Sequence, residues 1–301
     1  MTTIDAIQAT GEKTVRPMRR VQALLGFLHK MEVDAIFKQQ PFETIDGNDP
    51  VELWRHASVK RLGLSPLVHE GMEPLPDGLS GICEKIKDRP TYKKYYETVD
   101  DYSFALAPIE SLLTPQWFVD AEYVDEIMSG LHKDMSLEEQ LFFAMSEGKL
   151  TEPIITGNQV SFLSPRLDLY ADQIPMVREV GQGEFEIFVR AASRPNYVQV
   201  AKIGERLLLT NGVHKVSALC RMGLRKVPCV FRTVHNLEAA GLNPKATTLF
   251  SDPIFNSDKP ALVKYFWDSE LATPLNMRST YQILQVSVGV GVLRVPALPK
   301  L

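Results

Sequence analysis

The sequence contains little cysteine and no long apolar run, and both absences narrow the class of protein. Only three cysteines, Cys83, Cys220 and Cys229, occur among 301 residues. An odd number of cysteines without paired spacing argues against a disulfide framework and suits a reducing compartment. No apolar run reaches the roughly 18 residues of a membrane span, and residues 1–14 lack the apolar core of a signal peptide. We therefore expect a cytoplasmic protein without a membrane segment.

Positive charge is also scarce, since the formal net charge is −4. Binding to nucleic acid depends on clustered Lys and Arg side chains that neutralise phosphates. The densest basic groups are Arg16, Arg19 and Arg20, and then Lys93 with Lys94. Such runs usually mark a solvated helix face. The charge balance argues against nucleic-acid binding, although binding of DNA through the N-terminal arginines stays open as an alternative.

Familiar catalytic and metal-binding signatures are missing as well. The sequence has no G-x-S-x-G, H-E-x-x-H, Walker A or G-x-G-x-x-G pattern. Cys220 and Cys229 do not have the spacing of metal ligands. The histidines outside the segment discussed below are too scattered to define a metal site, namely His29, His56, His69, His132 and His235. We therefore predict no metal site.

The pattern of apolar residues predicts an α+β protein, with a helical N-terminal region at residues 1–115 and a small mixed-sheet domain at residues 116–301. The length fits about two average domains. Apolar residues recur with helical spacing through Met18–Phe37, and Asp49-Pro50 is typical of a helix start. A further helix is expected over Ser103–Leu113, and Thr114-Pro115 then marks the boundary.

From residue 116 onwards the predicted elements are mixed. Ser136–Glu139 fits a capping box, which starts a helix that Gly148 is expected to close. Gly157-Asn158 and Gly204-Glu205 each join two apolar runs in the manner of a β-hairpin. The terminal run Tyr281–Val295 alternates valine with small residues. We expect this C-terminal strand extension to add to a sheet or to bind a protein partner.

One strand, turn and helix carries the most information about function. The strand Arg206–Thr210 leads into Asn211-Gly212, a pair that accepts turn geometry easily. A helix follows until Gly223, and Leu224–Phe231 returns as a strand. Pro228 in that strand indicates an edge or a strand start. Because the first N–H groups of the helix point to one spot beside a glycine, this corner has the geometry of an anion site.

The charges in the first turn of this helix agree with an anion site. His214 and Lys215 lie where the helix dipole disfavours a cation by about 0.3–1 kcal/mol each. A bound phosphate would reverse this penalty and recruit both side chains. The alternative interpretation is that an exposed lysine simply tolerates so small a penalty.

These residues resemble a known family. A strand, then Asn211–Lys215, a short helix, Gly223 and a strand with Val-Pro is similar to the ParB/sulfiredoxin-like fold. The resemblance covers Tyr197–Arg232 and extends loosely back to the capped helix and the following Pro153-Ile154-Ile155 strand. It implies an insertion at about Ser164–Glu184. The N-terminal 115 residues resemble no family that we can name.

Departures from the family motif limit what the resemblance implies. Sulfiredoxins use a cysteine where this chain has Val213, so sulfinic acid repair is excluded. Chromosome-partition members, which bind CTP and DNA, have Glu and two Arg at Val213, His214 and Lys215. The D-G-H-H-R pattern of members resembling free amino acid kinases is the most similar, with Asn211 in place of Asp. That change removes a candidate base or metal ligand, so the resemblance favours nucleotide or phosphate binding over catalysis.

The resulting hypothesis is a protein that binds a nucleotide or a phosphorylated small molecule and acts as a regulator or adaptor. His214 would serve as proton donor or phosphate contact. The other residues expected at the ligand are Asn211, Gly212, Val213, Lys215, Arg190 and Arg194. For the two arginines, which suit bidentate contacts, ordinary surface ion pairs are the alternative. The cofactor is not identified, although phosphoryl transfer would require a nucleotide with Mg²⁺.

Three alternatives stay open, and each predicts different surroundings for the Asn211–Lys215 corner. An enzyme requires a carboxylate within reach of His214. A non-catalytic protein-interaction factor predicts a corner that is filled or closed. A DNA-binding factor of the partition type predicts one contiguous basic face.

Overall fold

The computed structural model describes residues 18–39, 42–97, 102–147, 152–164, 169–171, 176–182, 184–193, 195–242, 255–278 and 282–287. The chain forms two compact units. The main unit comprises Arg16–Glu147 and Pro195–Ser279, whereas the second unit comprises Met1–Val15, Gly148–Arg194 and Thr280–Leu301. The places where the chain passes from one unit to the other do not coincide with the boundary predicted at residue 115.

Helices and strands both contribute to the fold, which confirms the α+β class. The helices are α1 (Lys30–Gln39), α2 (Pro50–Leu62), α3 (Ser80–Lys87), α4 (Pro90–Tyr92), α5 (Ala121–Ser129), α6 (Leu137–Ala144) and α7 (Val213–Arg221). Within the described ranges, no helix is both long enough and apolar enough to cross a membrane.

The strands alternate with these helices along the chain. They are β1 (Met18–Ala23), β2 (Phe42–Thr44), β3 (Glu73–Pro74), β4 (Ser103–Pro108), β5 (Leu112–Leu113), β6 (Phe118–Asp120), β7 (Ile154–Thr156), β8 (Gln159–Ser164), β9 (Leu169–Ala171), β10 (Met176–Gly181), β11 (Glu184–Phe188), β12 (Ala191–Ser193), β13 (Gln199–Ile203), β14 (Arg206–Asn211), β15 (Lys226–Val234), β16 (Thr273–Arg278) and β17 (Gln282–Ser287).

A six-stranded mixed sheet in the order β3-β4-β15-β13-β14-β5 carries the corner singled out by the sequence. β13 and β14 form the predicted hairpin across Gly204-Glu205. β15 lies parallel to β13 and antiparallel to β4. Leu207, Leu208 and Leu209 of β14 are all buried, as expected for a strand that is covered on both faces.

Pro228 lies in an interior strand, although its position predicted an edge or a strand start. In β15 it pairs with Leu106 of β4. The parallel register with β13 begins only at Val230, opposite Gln199. A proline lacks an N–H group, so it fits where β15 has a neighbour on one side alone. The prediction is therefore wrong for the strand as a whole but fits the local pairing of this residue.

A second sheet of the main unit has the order β2-β16-β1-β6. Its strand β1 corrects the prediction of one helix over Met18–Phe37. β1 pairs with β16 from Met18–Arg278 to Ala23–Thr273, and α1 begins only at Lys30. Buried residues at alternate positions of β1, followed by a tight buried turn at Leu25–Phe27, reproduce much of the spacing of a helical stripe.

The region before residue 115 contributes strands to the six-stranded sheet, so its description as a helical region is wrong there. Ser103–Leu113, predicted as helix, contains β4 and β5, which pair with β15 and β14. Ala105, Leu106 and Ala107 are buried in succession. Consecutive burial of this kind is typical of a strand with both faces covered, and short apolar runs do not distinguish it from a buried helix.

Two predicted helix starts are confirmed. Asp49 accepts a hydrogen bond from the Val51 N–H at the start of α2. Ser136 and Glu139 form the complete capping box of α6, and the hydrogen bonds from Ser136 lower the pKa of Glu139. However, α6 ends at Ala144 and not near Gly148. The Ala144 carbonyl accepts a hydrogen bond from the Val198 N–H instead of continuing the helix.

The second unit consists of short antiparallel strands in its described part. β7 and β8 form the hairpin predicted at Gly157-Asn158. β17 pairs with β8, which confirms that the C-terminal strand adds to a sheet over Gln282–Ser287. The remainder of the predicted run, up to Val295, lies outside the described residues. The other pairs are β10 with β11 and β9 with β12.

Gly26 allows the turn Leu25–Phe27 to approach α2 very closely. A Cβ atom at this position would lie 2.5 Å from the Ala57 carbonyl oxygen. We expect Gly26→Ala to lower the free energy of unfolding by roughly 1–3 kcal/mol, because backbone must move to relieve the overlap. Urea denaturation measures the change.

Gly81→Ala is the matched control for this substitution. Gly81 lies in α3 with nothing within 4 Å of the added Cβ atom. This variant should be as stable as the wild type or slightly more stable, because alanine favours a helix. Equal losses for the two variants would contradict the close approach at Gly26.

Candidate functional site

The predicted strand, turn and helix is present as one corner of the main unit. β14 ends at Asn211, and Gly212 follows with φ 90° and ψ 22°. α7 begins at Val213 and ends before Gly223, whose φ is 87°. Positive φ angles favour glycine at both positions. The local geometry inferred from the sequence is therefore confirmed.

Asn211 uses both atoms of its amide group inside the protein. Its Nδ2 donates to the Pro195 carbonyl oxygen over 2.8 Å. Its Oδ1 accepts from the Gly212 N–H over 2.9 Å. An amide used in this way fixes the turn and ties it to the start of the segment that leads into β13.

Gly212 faces protein backbone. A Cβ atom here would lie 3.0 Å from the Val198 Cα, 3.1 Å from its Cγ2 and 3.4 Å from the Tyr197 carbonyl oxygen. The adjacent Val213 is buried in the core. The absent side chain of Gly212 therefore lets the chain before β13 approach the corner, and Val198 fills the space beside it.

His214 is partly exposed in the first turn of α7 and contacts α5. Its Nε2 accepts a weak hydrogen bond of 3.3 Å from the Asp120 backbone N–H. Its ring meets the ring of Tyr123 edge-on, with centroids 5.1 Å apart. Since Nε2 is an acceptor in this arrangement, the neutral tautomer carries its proton on Nδ1.

Asp120 contacts His214 through its backbone N–H, and it also has a carboxyl group. Both oxygens of that carboxyl group have other partners. One lies 2.7 Å from the Nε of Arg19, and the other accepts from the Tyr123 N–H at the start of α5. Burial raises the pKa of Asp120 in spite of these favourable partners. The carboxyl group thus caps a helix and neutralises an arginine.

Lys215 lies inside the main unit and is only 4% exposed. Its Nζ donates to three backbone carbonyls: to Ala144 over 3.2 Å, to Ser146 over 3.0 Å and to Asn196. The ammonium also lies 5.7 Å from the centroid of the Phe143 ring. An ammonium group has three N–H donors, so these carbonyls are matched to its hydrogen-bonding capacity.

Acidic residues of α5 pair with the arginines near the corner. Arg19 lies 2.9 Å from Glu126, and Arg20 lies 3.1 Å from Asp125. Arg221 of α7 also pairs with Asp125. Within the described part of the chain these arginines therefore form a mixed-charge network and no contiguous basic face. Arg16, the third member of the predicted basic group, lies outside the described residues.

The two arginines predicted to help bind a phosphate belong to the second unit. Arg190 lies between β11 and β12. Arg194 lies outside the described residues. The structure thus brings Asn211, Gly212, Val213, His214 and Lys215 together, and the contacts expected from the two arginines stay a prediction.

Metal ligands and reactive thiols are not grouped in the described part of the chain. There, no set of three or more His, Cys, Asp and Glu side chains could hold a metal ion. Cys229 is wholly buried, and burial raises its pKa to about 12. Cys220 is partly buried, and burial raises its pKa as well. Both thiols therefore behave as core residues.

Two sets of residues around the corner were missed by sequence reasoning. Asp120 and Tyr123 belong to a strand end and helix start that lie about 90 positions earlier, and the only local signal is an Asp suited to a helix cap. The partners of Lys215 are backbone carbonyls, which carry no side-chain signal at all.

Comparisons with protein-family models, with curated proteins and with solved structures find no match for this chain. The resemblance to the ParB/sulfiredoxin-like fold therefore stays a prediction. Its basis is the Asn211–Lys215 segment and the order of the elements around it.

Gly212→Ala tests how tightly the corner is packed. Alanine would both strain the positive φ and place its Cβ against Val198. We expect a loss of roughly 2–4 kcal/mol in the free energy of unfolding, the sum of a strained φ and an overpacked contact. Urea denaturation of the purified variant gives the value.

Gly223→Ala is the matched control, since its φ is similar but nothing lies within 4 Å of the added Cβ atom. It should cost only about 1–2 kcal/mol, the penalty of a left-handed residue alone. If the two variants lose the same stability, the packing of Val198 against Gly212 contributes nothing.

Proposed function

We propose that this protein is a regulatory or adaptor protein that keeps a ParB/sulfiredoxin-like corner without catalysing phosphoryl transfer. The observation that supports the proposal is the position of Lys215. Its ammonium, expected to contact a phosphate, is buried and donates to three carbonyls of the same chain. The cation that should recognise the ligand is thus used to hold the protein together.

Recruiting Lys215 to a phosphate would be costly. A hydrogen bond to a charged group contributes about 1.5–3 kcal/mol. A ligand would have to replace the hydrogen bonds from Nζ to Ala144, Ser146 and Asn196. The three carbonyls would then need other donors. The packing of Val198 against Gly212 is a second feature that opposes a ligand, because it leaves less room beside the turn.

The acidic group that phosphoryl transfer needs is also engaged elsewhere. Such enzymes hold Mg²⁺ with acidic residues and orient the nucleophile with another polar group. Asp120 contacts His214 through its backbone, while its carboxylate oxygens bind Arg19 and the Tyr123 N–H. The arrangement supports a structural role for Asp120 and a corner without catalytic chemistry.

A protein partner at the C-terminal strand belongs to the same proposal. Among the strands that the structure describes, β17 lies at the outside of the order β17-β8-β7, and only its first residue, Gln282, forms side-chain hydrogen bonds with Leu169 of β9. Ile283 of this strand and Ile155 of β7 are both exposed. Exposed apolar strand edges are suited to pairing with a strand of another protein.

Binding of a nucleotide or phosphorylated small molecule at the corner is the second candidate. One observation favours it: His214 is partly exposed in the first turn of α7, where the helix dipole stabilises an anion. This candidate requires His214 and the backbone of the first turn to provide the contacts without Lys215.

A thermal-shift screen distinguishes the two candidates. Nucleotides and phosphorylated metabolites, with and without Mg²⁺, are tested on the wild type, on His214→Ala and on the control His235→Ala, which changes an exposed histidine elsewhere. A ligand at a hundred times its dissociation constant adds about 2.7 kcal/mol to native-state stability. We expect no compound to raise the melting temperature of the wild type.

The opposite result has a clear signature. A compound that stabilises the wild type and His235→Ala, but not His214→Ala, would overturn the adaptor proposal in favour of ligand binding at the corner. Dependence of that stabilisation on Mg²⁺ would point further, to phosphoryl transfer.

A further inference from the structure

The main unit consists of two stretches of chain, and the end of the first stretch and the start of the second both lie beside the corner. The main unit ends its first part at Glu147 and resumes at Pro195. We call Ala144–Glu147 the outgoing connection and Pro195–Val198 the returning connection. The two are joined directly, because the Val198 N–H donates to the Ala144 carbonyl oxygen over 3.0 Å. The Tyr197 hydroxyl likewise donates to Glu147 over 3.0 Å.

Lys215 cross-links these two connections. Its Nζ donates to Ala144 and Ser146 on the outgoing connection and to Asn196 on the returning connection. A single buried ammonium therefore holds both chain segments at once. Because an unpaired buried charge is very unfavourable, the three carbonyls and the ammonium depend on each other.

Other residues of the same corner act on the returning connection. Asn211 donates to the Pro195 carbonyl, and the missing side chain of Gly212 admits Val198 and the Tyr197 carbonyl. Three residues of the five-residue corner segment thus contact one or both connections. Arg89 also contacts both connections, because it donates to the Met145 carbonyl over 2.7 Å and forms a hydrogen bond with Tyr197.

We propose that the Asn211–Lys215 corner is a latch that fastens both connections of the inserted segment Gly148–Arg194 to the main unit. Loss of the Lys215 bonds weakens the hydrogen bonding of the outgoing and returning connections together, while the apolar contacts of Ala144, Met145, Tyr197 and Val198 keep the core folded. The latch concerns residues of the main unit alone. It does not depend on the proposed adaptor function, since it requires neither a ligand nor a partner.

Hydrogen–deuterium exchange of the full chain tests the latch with Lys215→Met. Methionine keeps most of the side-chain volume but removes the three donors. We expect the amides of the outgoing connection and of Val198 to exchange about tenfold faster or more, as fits the loss of charged hydrogen bonds. Amides of β4 and β15 should keep the exchange rates of the wild type, except that of Val230, which donates to the Val198 carbonyl.

Arg206→Met is the matched control, because the guanidinium of Arg206 also binds three carbonyls, those of Phe255, Asn256 and Ser257. This variant should accelerate exchange around residues 255–257 and leave both connections unchanged. The latch is refuted if Lys215→Met leaves both connections at the wild-type rate, or accelerates β4 and β15 to the same extent.

A milder variant keeps the proposal testable if Lys215→Met does not fold. Asn211→Ala removes only the hydrogen bond to Pro195, which lies on the returning connection, and the local bond to Gly212. A latch couples the connections, so exchange of the outgoing connection should rise along with that of Val198. A response confined to residues 195–198 would overturn the proposal.

Discussion

A positive charge inside a protein must be surrounded by oxygen atoms, and Lys215 meets this requirement with three backbone carbonyls. Several elements of the main unit are arranged around this buried charge. The end of α6, the segment that leads into β13 and the first turn of α7 all converge on one ammonium group. Lys215 is a charged residue, but in this protein it is buried and stabilises the interior.

This use of Lys215 illustrates why residue type and spacing alone do not define a ligand site. A glycine before a helix, a histidine and a lysine form a recipe for anion recognition. In this chain the glycine admits Val198, the histidine contacts α5, and the lysine binds carbonyls. The same atoms that could bind a phosphate satisfy protein groups instead. Fold and function diverge in this way when a corner keeps its shape and changes its contacts.

Sequence reasoning succeeded where the signal was local. The caps at Asp49 and Ser136, the turns at Gly157 and Gly204 and the order of elements around Asn211–Lys215 all depend on neighbouring residues. It failed where residues far apart in the sequence determine the local structure. β1 and β4 were predicted as helix because burial between two neighbouring strands is not encoded in their own spacing. The carbonyl partners of Lys215 were beyond prediction for the same reason, since any residue could supply them.

The pairing of β1 with β16 has a consequence for synthesis of the chain. Met18 lies opposite Arg278, so β1 must wait until the much later strand β16 has been made. At about 5–20 residues per second the ribosome needs on the order of 10–50 s to bridge this gap. During that time the buried residues Val21 and Ala23 have β6 as a neighbour on one side but lack β16 on the other. The nascent chain is therefore exposed to chaperones and to misassembly for longer than a protein built from local pairings.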